Sequence, residues 1–79
     1  MSEISTPTPK AIVEEPILQF FVTAHLRADL RVVSEPFAGL AATIVSTLPR
    51  NPERTVALRK LLEAKDAAVR ARLYVLVPA

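Results

Sequence analysis

The chain has 79 residues, a net charge of +2 and no cysteine, which excludes disulfides and thiolate metal sites, and its single histidine, His25, cannot form a zinc site alone. Basic and acidic residues are interspersed along the chain, which argues against binding to a nucleic acid polymer. A chain of this size buries only about 60% of its unfolded surface, so we expect it to complete its core by self-association as a homo-oligomer.

The apolar runs of the chain are too short to cross a membrane. The longest, from Ala38 to Val45, contains Thr43 and is far below the ~18 residues that a membrane-spanning helix needs. No basic segment followed by an apolar one opens the chain, as it would in a secretory signal. We therefore expect a cytoplasmic protein without a membrane partner.

The N-terminal segment is predicted to be a disordered tail over residues 1–13, because its first ten residues carry prolines, threonines and serines and almost no apolar side chains. The sequence Glu-Glu-Pro at 14–16 is typical of a first helical turn. Apolar side chains then follow at helical spacing, at Ile17, Phe20, Phe21 and Ala24. This spacing predicts a short helix of about three turns that ends near Leu26.

The next segment has one apolar stripe with spacings of three and four residues. It is interrupted by Pro36, which leaves two alternatives. Either Ser34 caps a helix from Glu35 to Leu48, or a turn that begins at Asp29 continues into that helix through a kink. The stripe is the same in both cases and is formed by Leu30, Val33, Phe37, Leu40, Ala41, Ile44, Val45 and Leu48.

A tight connection and a second long helix follow. Pro49 ends the first helix, Asn51 is a good N-cap, and Pro52 and Glu53 suit the first turn of the next helix. The segment from Glu53 to about Leu73 lacks glycine and proline and is rich in strong helix formers. Residues 74–79 form an apolar tail, which we expect to pack against a neighbouring subunit.

The predicted fold class is therefore all-α. A short N-terminal helix is followed by an antiparallel helical hairpin, and residues 14–73 make up the hairpin domain. Two or three helices cannot bury a large core alone, so the domain is expected to assemble as a homo-oligomer.

The second hairpin helix carries cations in two settings. Lys65 and Arg72 lie seven residues apart within the apolar half of the helix, where each must extend to solvent, find a carboxylate or bind an anion. On the opposite face, Arg59 with Glu63 and Asp66 with Arg70 are spaced as i,i+4 pairs. That face is either a solvated, salt-bridged surface or, through its arginine forks, a phosphate-binding surface.

The aromatic residues and the missing catalytic motifs restrict the function further. Phe20, Phe21 and Phe37 are most simply core residues, although aromatics near a subunit boundary can stack on a nucleobase. No serine or threonine has a base and an orienting acid near it in the sequence, and one glycine, Gly39, cannot form a glycine-rich phosphate loop. We therefore expect neither an enzyme nor a cofactor.

The run from Leu48 to Ala71, LPRNPERTVALRKLLEAKDAAVRA, resembles a segment of very small bacteriophage proteins. It looks like the helical-hairpin domain of phage anti-CBASS and anti-Thoeris proteins, and the similarity covers roughly Ile17 to Leu73. Its most specific part is Pro-x-x-Pro-Glu-Arg-Thr-x-Ala-Leu-x-Lys-Leu-x-Glu-Ala. Members of this family are sponges, which bind the cyclic nucleotide signals of bacterial immunity and sequester them without cleavage.

The resemblance implies a homo-oligomer, from dimer to hexamer, in the host cytosol, with a cyclic oligonucleotide or a cyclic ADP-ribose-type ligand in pockets between protomers. Arg70 matches an arginine that lines such pockets. The family's N-terminal tyrosine corresponds here to Phe20-Phe21. The stretch that carries a lysine on the family's first hairpin helix reads Ser34-Glu35-Pro36-Phe37 here and contains no lysine. The candidate ligand-binding residues are therefore Arg70, Lys65, Arg59, Arg72, Phe20, Phe21 and Ser34.

The sequence leaves one rival hypothesis. The chain is either a phage-encoded sponge or a non-enzymatic, oligomeric protein–protein interaction module of phage origin. In the second case the apolar stripe and the segment Tyr74–Val77 would dock a protein, and the cations would only solvate the surface.

Overall fold

The structure is a computed structural model, and it describes residues 9–75. Over this range the chain is all-helical and contains no strand, which confirms the predicted all-α class for the described residues. Helix α1 spans Pro9–Glu14, helix α2 spans Ala28–Thr47 and helix α3 spans Pro52–Leu73. A 3₁₀ segment, Pro16–Phe21, lies between α1 and α2.

The N-terminal part differs from the predicted three-turn helix. Helix α1 ends at Glu14 because Glu15, which precedes a proline, has an extended backbone (φ −140°, ψ 85°). Pro16 then begins the 3₁₀ segment, as its fixed φ allows. The segment ends at Phe21, and His25 lies in a turn, since the run Phe-Phe-Val-Thr at 20–23 has weak helix propensity. Residues 1–8 of the predicted tail lie outside the described residues.

Helix α2 settles the alternatives at Pro36, because it is a single helix that begins at Ala28 and continues through the proline. Ser34 is therefore an internal helical residue and no N-cap. Pro36 has no N–H to donate to the carbonyl of Val32. Both residues are exposed, so water can reach that carbonyl, as is usual at a proline inside a helix.

Helix α3 begins as the sequence predicts. The Asn51 side chain accepts a hydrogen bond from the backbone N–H of Arg54 at 2.9 Å, Pro52 occupies the first turn and Glu53 complements the helix dipole. The helix ends at Leu73, and Tyr74 is extended. Tyr74 and Val75 are exposed, and residues 76–79 of the predicted tail lie outside the described range.

The described core is small and joins three elements. Helices α2 and α3 pack against each other, and the 3₁₀ segment packs on both of them. Small side chains on α2 allow this close approach. Each element contributes two of the six fully buried apolar residues, which are Leu18, Phe21, Ala38, Ala41, Leu58 and Leu62.

A buried ion pair fastens the N-terminal segment to the connection between α2 and α3. The Arg54 guanidinium donates to both carboxylate oxygens of Glu15, at 3.2 and 2.5 Å. It also donates to the carbonyls of Val45 and Leu48, at 3.2 and 2.7 Å, near the end of α2. The hydrogen bond with Glu15 raises the pKa of Arg54. One buried side chain thus orients three elements around the core.

Candidate functional site

Helix α3 presents two unpaired arginines on the face opposite its buried leucines. Arg59 and Arg70 are both exposed and point in nearly the same direction, because eleven residues make just over three full turns. Among residues 9–75, neither guanidinium has a hydrogen bond or an ion pair. The predicted i,i+4 pairs with Glu63 and Asp66 are therefore not formed.

The acidic residues of this face pair with lysines instead. Glu63 lies 3.7 Å from the Lys60 ammonium, and Asp66 lies 3.3 Å from the Lys65 ammonium. Lysine stems are flexible enough to reach carboxylates three residues or one residue away. Neither carboxylate contacts Arg59 or Arg70 in this arrangement, and the two guanidinium groups remain available to another anion.

The structure shows whether the Lys65 ammonium extends to solvent, pairs with a carboxylate or is left for an anion. Its side chain is 14% exposed, and its ammonium is ion-paired with Asp66 and donates to the backbone carbonyl of Phe20 at 2.8 Å. The charge has therefore found a carboxylate and a carbonyl within the protomer. The same bond brings Lys65 and the half-exposed Phe20 to one place.

The two neighbouring phenylalanines have opposite environments. Phe20 is 53% exposed and can stack on a planar ligand, whereas Phe21 is 1% exposed and belongs to the core. Within one protomer Phe21 therefore has no face to offer to a nucleobase. Sequence alone did not separate them, since both fit the same helical spacing.

Ser34 is also buried, at 2% exposure, and its hydroxyl has no hydrogen-bond partner among the described residues. In the protomer, the Ser34 side chain is therefore not accessible to a ligand. One turn earlier on the same helix, the Arg31 Nε is buried without a partner, while its Nη2 donates to the Leu26 carbonyl at 2.9 Å.

Arg72 is exposed in the last turn of α3, and its charge acts electrostatically on Asp29 in the first turn of α2. Arg27 donates two hydrogen bonds of 3.0 Å to the Asp29 carboxylate, and these lower the pKa of Asp29, with smaller electrostatic contributions from Arg27 and Arg72. The ion pair of Arg27 with Asp29 was not predicted from the sequence. An aspartate in the first turn of a helix is the signal that could have found it.

The structure therefore brings only some of the candidate residues together. Lys65 and Phe20 meet, Arg72 lies at the exposed end of α3, and Phe21 and Ser34 are buried. Arg59 and Arg70 share a face but are about 16 Å apart along the helix axis, given a rise of ~1.5 Å per residue. One protomer cannot hold a single phosphate with both.

The described residues offer no site for a metal ion, since no group of three or more histidine, cysteine or acidic side chains converges among them. Within the same range, no helix has the length and apolar character needed to span a membrane. Comparisons of the chain with protein-family models, with curated proteins and with solved structures found no match.

Proposed function

We propose that the protein is a phage-encoded sponge, which binds cyclic nucleotide immune signals of the CBASS or Thoeris type and sequesters them without cleaving them. The ligand would be a cyclic oligonucleotide or a cyclic ADP-ribose-type molecule in the host cytosol. The proposal begins from the resemblance of residues 48–71 to the sponge family. It depends further on the free cations of helix α3.

The observation that carries the proposal is the pair of unpaired, exposed arginines, Arg59 and Arg70. A surface arginine next to carboxylates would ordinarily pair with them, but here Lys60 and Lys65 occupy Glu63 and Asp66. Arginine can donate two parallel hydrogen bonds to a phosphate, and such charge-assisted bonds are stronger than those between neutral groups. The face is thus suited to a ligand with phosphates.

The distance between these arginines favours a pocket between protomers. Because Arg59 and Arg70 are about 16 Å apart on one helix, two arginines can reach one small ligand only if a second protomer supplies one of them. We therefore propose that α2 and α3 form the antiparallel hairpin of the family, and that hairpins associate into a homo-oligomer of two to six subunits. A closed, symmetric assembly would repeat the pocket at each equivalent interface.

The second wall of the pocket would come from the 3₁₀ segment. Lys65 donates a 2.8 Å hydrogen bond to the Phe20 carbonyl, and the Phe20 ring is 53% exposed. Such a ring stacks on any base, because every nucleobase has a π-face. Arginine forks on the phosphates and Phe20 on a base would account for binding, and no bond in the ligand would be made or broken.

The proposal is tested by substituting Arg70 with glutamine and titrating cyclic di- and trinucleotides and cyclic ADP-ribose isomers by calorimetry. Losing one charge-assisted hydrogen bond weakens binding by about 1.5–3 kcal/mol, or roughly 10- to 150-fold. Arg50→Gln is the matched control, because Arg50 is an exposed arginine on the connection before α3 and should leave the affinity unchanged.

Two results would contradict the sponge hypothesis. Equal affinities for the wild type and Arg70→Gln would show that the arginine face is not the site. Consumption of a bound nucleotide over time, followed by chromatography of the ligand, would show turnover and therefore an enzyme.

The interaction module remains the second candidate, because large apolar side chains are exposed at both ends of the described chain. Val13, Tyr74 and Val75 are 79%, 73% and 74% exposed, and exposed apolar groups of this kind mark docking surfaces. This candidate predicts that Arg70→Gln leaves binding of the protein partner unchanged, whereas Tyr74→Ser abolishes that binding.

A further inference from the structure

Helix α3 carries a second pair of cations, on its buried side. This inner pair consists of Arg54 and Lys65, which are eleven residues apart, as Arg59 and Arg70 are on the exposed face. The side chains of the inner pair are only 9% and 14% exposed. Both cations are bonded within the protomer, whereas the two exposed arginines are not. The two pairs of one helix therefore differ in what they can do.

The inner pair holds the 3₁₀ segment near both of its ends. Before the segment starts, the Arg54 guanidinium donates to the carboxylate of Glu15. Near its other end, the Lys65 ammonium donates to the carbonyl of Phe20 at 2.8 Å. The 3₁₀ segment is thus fastened to helix α3 by one polar contact on each side of its buried Leu18.

The end of the 3₁₀ segment has little support from its own backbone. Its last backbone hydrogen bond, from the Val22 N–H to the Gln19 carbonyl, is 3.4 Å long, and the hydrogen-bond geometry of 3₁₀ helices is generally poor. Within residues 9–75, the Phe20 carbonyl accepts no backbone hydrogen bond. Lys65 therefore satisfies a carbonyl that the segment leaves unpaired, as lysines do at the C-terminal ends of helices.

The Phe20 carbonyl belongs to the peptide plane that joins the exposed Phe20 to the buried Phe21. Phe21 anchors the segment in the core, but a buried ring alone does not fix this plane, because the backbone angles on either side of it can rotate. The hydrogen bond from Lys65 holds the carbonyl of the plane. The direction of the Phe20 ring relative to α3 therefore depends on Lys65.

We propose that Lys65 is a positioning residue of the nucleotide pocket, which holds Phe20 for stacking and does not contact a phosphate. This inference rests on the proposed function, because it assigns the role of one residue within that pocket. The Lys65 ammonium already contacts the Phe20 carbonyl and the Asp66 carboxylate. A phosphate at the same ammonium would also meet that carboxylate, which lies 3.3 Å away, and like charges repel. Arg59 and Arg70 contact no carboxylate within residues 9–75.

The first test compares Lys65→Met with the wild type by NMR of the full chain, without nucleotide. Methionine keeps an unbranched, helix-favouring side chain and removes the ammonium donor. We expect the signals of the Phe20 carbonyl carbon and ring protons to shift, while the amide signals of α3 keep the pattern of a folded helix. Unchanged Phe20 signals in a folded Lys65→Met would overturn the proposal.

The matched control for this comparison is Lys60→Met. It removes the same charge from the same helix, but the Lys60 side chain is 72% exposed and its ammonium is paired with Glu63. The Phe20 signals of Lys60→Met should therefore match those of the wild type. Equal shifts of the Phe20 signals in both variants would overturn the proposal, since they would follow from the lost charge alone.

The second test is a double-mutant cycle of Lys65→Met with Phe20→Ala. Binding of cyclic di- and trinucleotides and cyclic ADP-ribose isomers is measured by calorimetry. Loss of base stacking should weaken binding roughly 5- to 150-fold in Phe20→Ala. Lys65→Met should also weaken binding while the Phe20 ring is present. In the Phe20→Ala background it should change the affinity by less than about twofold.

The outcomes separate the role of Lys65 from the proposed function. If Lys65→Met weakens binding equally with and without the Phe20 ring, the lysine contacts the ligand itself, and the positioning role is overturned while the sponge hypothesis stands. If Lys65→Met binds like the wild type and Arg70→Gln does not, the positioning role is again overturned alone. A wild type that binds none of these nucleotides overturns the proposed function, and the role of Lys65 in binding falls with it.

Discussion

Replacing Phe21 with alanine is expected to destabilise the protein severely. Phe21 is 1% exposed and forms part of the small core with residues of α2 and α3. Truncation of a buried phenylalanine costs about 3–5 kcal/mol, through lost transfer free energy and the cavity left behind. A chain of this length has a total free energy of unfolding of roughly 4–12 kcal/mol, so the variant should lose a large share of its stability.

The assay is urea denaturation followed by far-UV circular dichroism, with Phe20→Ala as the control. The two residues are adjacent and chemically identical, but Phe20 is 53% exposed, so its truncation should change the free energy of unfolding by less than about 1 kcal/mol. If both variants lose the same free energy, or if Phe21→Ala loses less than about 1 kcal/mol, the packing of the 3₁₀ segment described above is wrong.

Three further predictions concern polar groups. Ser34→Ala should leave the thermal midpoint unchanged or raise it, because the buried hydroxyl that it removes has no partner; a clear loss of stability would mean that the hydroxyl is bonded. Glu15→Gln should lower the thermal midpoint, since it leaves the buried guanidinium of Arg54 without its carboxylate, whereas the same change at the exposed Glu14 should not. The hydrogen bonds from Arg27 hold the folded-state pKa of Asp29 below its ordinary value, so the contribution of Asp29 to stability is present above the unfolded-state pKa and is lost as the pH falls through the folded-state pKa. The thermal midpoint of Asp29→Asn should therefore fall less than that of the wild type on acidification, and equal falls would argue against the pairing.

The features that the sequence predicts well are those with local causes. The cap at Asn51, the proline at position 52 and the uninterrupted helix formers that follow lie within one segment, so the start and end of α3 can be read directly. The apolar stripe of α2 is equally local. Its continuation through Pro36 was left open, because a proline is compatible with either a helix start or a kink.

The features that the sequence did not predict depend on contacts between distant segments. Glu15 and Arg54 are 39 residues apart, and nothing in either segment indicates that the two side chains meet. The choice of Phe21 over Phe20 for the core depends in the same way on how the 3₁₀ segment lies across α2 and α3. On α3 the spacing favoured Arg59–Glu63 and Asp66–Arg70, but lysines nearer to the two carboxylates formed the pairs instead.

Native mass spectrometry of the full chain, alone and after mixing with cyclic di- and trinucleotides and cyclic ADP-ribose isomers, tests directly whether the protein is a sponge. The sponge hypothesis predicts a homo-oligomer that retains at least one of these nucleotides with its mass intact. An oligomer that retains none of them, or that releases a cleaved nucleotide, would contradict it.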